Sequence, residues 1–139
     1  MLLQRLAAVS DQMLLSQTKV IRGHQNQMEA EMVLHLYEID KRGIYRDAGY
    51  SSLFAYCHLE LGFSEGAAGR RVRAARTLEA TPEIYELIRD GKLTLTALSE
   101  VAPVMTVDNK AEVLEAVKGA SKREAVKVAV ALGAPEKPR

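Results

Sequence analysis

Two apolar-faced stretches meet at a glycine corner in residues 51–78, SSLFAYCHLELGFSEGAAGRRVRAARTL, and this corner narrows what the chain can fold into. In the first stretch Leu53, Cys57 and Leu61 recur every fourth residue, which marks one face of an α-helix. Gly62 suits the left-handed position past a helix C-terminus, where a Cβ is strained. Ser64 then stands where a hydroxyl can accept an orphan backbone N–H and start a second helix. Along that helix Ala68, Val72 and Ala75 share one side. Arg70 and Arg73 share the other, beside Gly66, Ala67 and Ala74. Helix, short glycine-containing turn and helix is the spacing of a helix-turn-helix, placed here at residues 52–78. Arginines above small residues suit a surface lined with phosphates. The alternative is an ordinary helical hairpin whose arginines face water.

The remaining chain is punctuated in the same way. Residues 2–41 read as one long helix, or two in tandem. Leu2, Leu3, Leu6, Val9 and Met13 form an apolar side, the pattern thins over 16–27, and it resumes with Met28, Met32, Leu36 and Ile39. Gly23 is the one candidate break, and a glycine inside a helix costs only about 1 kcal/mol against alanine. The last part of this helix is expected to pack on the domain. The first part either projects and pairs with a second copy, through residues 1–41, or folds back. Tyr45 and Tyr50 are expected to pin the 44–50 connection. Ser51 or Ser52 then caps the next helix. Thr81-Pro82-Glu83 reads as a helix start, and Asp90-Gly91 as its end. Thr94 or Thr96, then Thr106, cap two more helices, with Pro103 between them. Ser121-Lys122-Arg123-Glu124 is a capping box. The breaker-rich residues 133–139 read as a linker-like tail.

No stretch alternates as a strand does. Aromatic residues are 5% of the chain and there is no Trp, which also disfavours a sheet-rich fold. The expectation is an all-α, multi-helix domain. It divides into a long N-terminal segment at 1–43, a possible oligomerisation arm, and a helical domain at 44–132 with the helix-turn-helix at its centre.

A net charge of +1 makes any nucleic-acid footprint a local one. Residues 64–77 carry Arg70, Arg71, Arg73 and Arg76 against Glu65 alone. Lys118, Lys122, Arg123 and Lys127 form a second cluster around Glu124. Arg70 and Arg73 are the groove-facing candidates, and Arg71 and Arg76 the phosphate-holding ones. Ser64 marks a helix N-terminus whose N–H groups can meet a phosphate. Lys122 and Arg123 either add a second phosphate clamp or lie on a solvated last helix. The single cysteine, Cys57, reads as a small buried hydrophobe in a reducing, cytoplasmic setting, nucleoid-associated if the chain binds DNA. His24, His35 and His58 lack the spacing of a metal signature, so no cofactor or metal is expected. No catalytic arrangement stands out. Gly62, Gly66 and Gly69 lack the preceding strand and the Lys-Ser/Thr of a phosphate loop. No apolar run reaches a membrane span.

The wording of GYSSLFAYC, LGFSEGAAGRR, PEIYELIRDGKLTLTALSEVAP and SKRE resembles the helical N-terminal region of many bacterial HNH endonuclease-family proteins, over residues 32–132. A weaker likeness, over 62–98, is to the helix-turn-helix region of chromosome- and plasmid-partition DNA-binding proteins. The resemblance implies a helical module that binds or positions double-stranded DNA. The family's nuclease part needs histidines and an asparagine or second acid around a divalent ion. Here no histidine follows His58, and the only asparagine after the helix-turn-helix is Asn109. The chain is thus expected to be the non-catalytic part of such a protein, or a stand-alone relative. The alternative is a protein-interaction module built on the N-terminal helix.

Overall fold

A computed structural model describes residues 1–136, and among these every regular element is helical. The long helix begins later than its apolar pattern suggests. Residues 2–4 form a single 3-10 turn, and the Ser10 hydroxyl accepts the Met13 N–H at 3.2 Å to start α1 (Asp11–Arg42). From there the helix runs through Gly23 without interruption, about 48 Å at 1.5 Å per residue. Lys41 and Arg42 occupy its last turn, where cations meet the negative end of the helix dipole.

Six shorter helices follow. They are α2 (Leu53–Ala55), α3 (Glu65–Leu78), α4 (Ile84–Arg89), α5 (Leu95–Val101), α6 (Lys110–Val117) and α7 (Lys122–Ala131). Their starts are set mainly by side-chain caps. Ser52, Ser64 and Thr94 accept the N–H groups of Ala55, Ala67 and Ala97. Thr106 and Asn109 cap each other ahead of α6. Ser121 and Glu124 form the expected reciprocal box, which holds the Glu124 carboxyl below its usual range. At Thr81-Pro82-Glu83 the helix begins only at Ile84, and no side chain caps it. Within the 133–139 tail, Ala134 packs against the core, and residues 137–139 lie outside the described residues.

The buried side chains form two clusters. The larger joins Ala30 and Val33 of α1 to Ile84, Ile88, Leu98, Val101, Val117 and Ala129. The smaller joins Leu36 of α1 to Tyr45, Leu53, Cys57, Ala68, Val72 and Ala75. Both α1 and α3 contribute to both clusters, because Ala74 and Leu78 of α3 belong to the larger one. Ala74 therefore does not share the solvent side with the arginines, as its sequence position suggests. It is covered by the helices packed on that flank.

A second departure lies just before the glycine corner. Residues Tyr56–Glu60 wind as a π-turn, which takes one more residue per turn than an α-helix. The face begun by Leu53 and Cys57 slips, so Leu61 is exposed, and Phe63 packs against the smaller cluster instead. Burial pushes the Cys57 thiol above its ordinary range, as befits a buried hydrophobe. Tyr45 is buried, and the Tyr50 hydroxyl donates to Glu60.

The seat of α1 on α4 is tight. Gly91, after α4, has φ +72, and a Cβ there meets the Asn26 amide at 2.7 Å. The backbone conformation demands glycine, and a Cβ would also have to displace the Asn26 side-chain amide. We expect Gly91→Ala to cost about 1–3 kcal/mol in urea unfolding. Adding Asn26→Ala relieves the collision but leaves the backbone strain. The double variant should recover part of the loss, and full recovery would show that the φ angle costs nothing.

Candidate nucleic-acid interface

The four arginines of α3 separate into different environments. Arg71 points inward along α1. Its Nη2 donates to Glu29 at 2.6 Å, its Nη1 donates to the Ala67 carbonyl at 3.1 Å, and its guanidinium stacks over Phe63 at 4.3 Å. Its side chain is only 17% exposed. Arg71 was expected to hold phosphate, and it instead ties α3 to α1. The Nε of Arg71 is buried without a partner among the described residues.

Arg70, Arg73 and Arg76 take the other side. Arg70 is half-buried and lies back across Gly66, with its Nη1 3.3 Å from where a Cβ would stand. Arg73 is exposed and donates to the Ser99 carbonyl at 3.0 Å, which leans it toward α5 without neutralising it. Arg76 is exposed and meets Asp40 at 3.4 Å. That pair is solvent-screened and worth little. The three cations follow each other at i, i+3 and i+6, so they form a row along the helix. Ser64 is exposed at the head of this row, with its hydroxyl engaged as a cap.

Below Arg70 the row enters a groove of about 800 Å³. Val72, Arg73 and Arg76 of α3 line it together with Phe54 of α2 and the 102–107 segment before α6. Lys110 also lines it, its amine donating to the Ala80 carbonyl at 3.0 Å and pairing with Glu83 at 3.1 Å. Sequence reasoning missed Lys110, since no basic neighbour flags it. It reaches the groove because the 3-10 turn Ala102–Val104 brings the chain back toward α3. Val107, also in the lining, is strongly exposed.

Lys122 and Arg123 are exposed on the first turn of α7, which packs chiefly on α5 and α6. They do not line the groove. Among the described residues no three His, Cys, Asp or Glu side chains converge as a metal site would require. No described helix is long and apolar enough to cross a membrane. No family model, no curated protein and no solved structure matches the chain.

Arg71→Ala leaves Glu29 without its partner and removes the ring stack on Phe63. We expect a loss of about 1–3 kcal/mol in chemical denaturation. Arg71→Lys should restore only part of it, because an ammonium cannot donate to Glu29 and Ala67 while lying flat on the ring. Equal stability of all three forms would show that the tether contributes nothing.

Proposed function

We propose that this chain is a duplex-DNA-binding helical module, of the non-catalytic kind its wording resembles in HNH endonuclease-like proteins. The observation that carries the reading is the row of Arg70, Arg73 and Arg76 on one side of α3, with Gly66 and Gly69 beside it. Small residues let a backbone approach, and guanidinium groups suit phosphate oxygens. Neither Arg70 nor Arg73 is held by a carboxylate ion pair among the described residues, so both remain available to an anion.

The geometry favours positioning over base reading. A recognition helix has to stand clear of its domain to enter a major groove about 12 Å wide. Here Phe54 and the 102–107 segment share a groove with the outer side of α3. The arginines are therefore assigned to phosphates, with Lys110 as an additional contact. Lys122 and Arg123 belong to a separate surface that adds affinity only if the duplex spans both.

A second reading, assembly, is favoured by a different observation. Residues 11–25 of α1 are exposed on every side, and the first buried residue of the helix is Ala30. Helices of about 12–15 residues are marginal alone in water. The arm therefore calls for a partner, and pairing with a second copy is compatible with DNA binding.

The test is fluorescence anisotropy on a random-sequence duplex across a salt series. We expect binding at low salt that weakens as log K falls linearly with log salt. Arg70→Ala and Arg73→Ala should each reduce the slope by about one, with helical circular dichroism unchanged. Absence of binding at low salt, or an unaltered slope in the double variant, would overturn the assignment.

A further inference from the structure

The unpartnered side of α1 carries a regular apolar stripe. Leu14, Ile21 and Met28 stand seven residues apart, and Met13, Val20 and Leu34 run beside them. All six are exposed, Ile21 and Met28 by more than half. At 100° per residue Leu14, Ile21 and Met28 lie about 120° around the helix from Ala30, Val33 and Leu36, the residues α1 buries in its own domain. A surface helix ordinarily turns its apolar stripe to its own core and its charges to water. α1 has one apolar side in the core and another directed away from it.

We infer that this stripe is the seam of a parallel, in-register two-stranded coiled coil between two copies of the chain; the inference rests on the assembly reading above. The period is the first reason. The apolar seven-residue repeat runs over two heptads, from Leu14 to Met28, and such a repeat winds paired helices into a left-handed supercoil. The second reason is the absence of charge. Between residues 12 and 28 the only charged side chains are Lys19 and Arg22. Both lie on the domain-facing side of the helix, and Arg22 lines the cleft between α1 and α4 with Asn26 and Glu29. A neutral stripe repels no copy of itself and offers nothing to a charged partner. A twofold interface requires a surface that complements itself.

Direction follows from the layers between. Three residues after Leu14 and Ile21 come Gln17 and His24, both exposed. A parallel pair sets Leu14, Ile21 and Met28 each against its own copy, and Gln17 and His24 likewise. Polar layers meeting like with like specify register. An antiparallel pair would set the apolar layers against the polar ones and strand both. The exposed Leu2, Leu3 and Leu6 add apolar surface at the free end of the seam.

The full-length chain tests this by light scattering after size exclusion, alongside cysteine cross-linking. We expect twice the mass of one chain. Leu14→Lys combined with Ile21→Lys should give the mass of one chain, while the unfolding transition of the domain is retained. Gln17→Cys and His24→Cys, made separately, should each form a disulfide between copies in air. Cys57 is fully buried and stays out of the reaction. An antiparallel pair can bring at most one of these two positions onto its own copy. A wild-type mass of one chain would overturn both the seam and the assembly reading. A dimer that survives the lysine pair would overturn the seam. A dimer sensitive to the lysines but cross-linked at only one position, or neither, would overturn the parallel register and leave assembly standing.

Discussion

The crossing of α1 over α3 is the contact on which the other features depend. Both helices are buried in two clusters at once, and the side chains at the crossing are small: Ala30 on α1, and Ala68, Ala74 and Ala75 on α3. Small residues let two helix axes approach at the near end of the usual 8–10 Å range. Closeness brings Glu29 and Arg71 within 2.6 Å and leaves Phe63 as a lid over the guanidinium. The rotation of α3 about its axis is thereby set. Once Arg71 faces Glu29 of α1, Arg73, about 200° further round, has to face away from it, while Arg76 reaches Asp40 near the end of α1 at 3.4 Å.

That rotation also separates the surfaces assigned to different roles. α3 lies on the side of α1 that carries Ala30, Val33 and Leu36, and the exposed stripe of Leu14, Ile21 and Met28 lies about 120° around the helix from it. A duplex on the arginine row and a second copy on the stripe would not compete for the same atoms. The glycine at position 91 lies under the same helix, where a Cβ would displace the Asn26 side-chain amide.

Much of the helical framework was legible because caps and breakers act within a few residues. Ser52, Ser64, Thr94, Thr106 and Ser121 each accept a backbone N–H near by, so their roles depend on local spacing alone. The start of α1 at Ser10 was hidden by apolar residues 2–9, whose pattern continues a helix that their backbone does not. Leu61 was misplaced because a π-turn breaks the four-residue count without a mark in composition. The candidate site was legible as a cluster of arginines and not as an arrangement. Nothing in RRVRAAR distinguishes the arginine that ties helices together from the three that face outward. Lys110 was invisible for the complementary reason: its place beside α3 comes from the chain reversal at Ala102–Val104, more than twenty residues after α3 ends.

By itself the sequence determined that the chain is all helical, where most helices begin and end, and which of their faces are apolar, since each follows from propensity, capping and periodicity over a few turns. Only the tertiary structure decided which apolar faces meet and which are left over. It sent Arg71 to Glu29, buried Ala74, and left the first half of α1 without cover. Those outcomes depend on distances between residues far apart in the chain, and such distances exist only once the helices have packed.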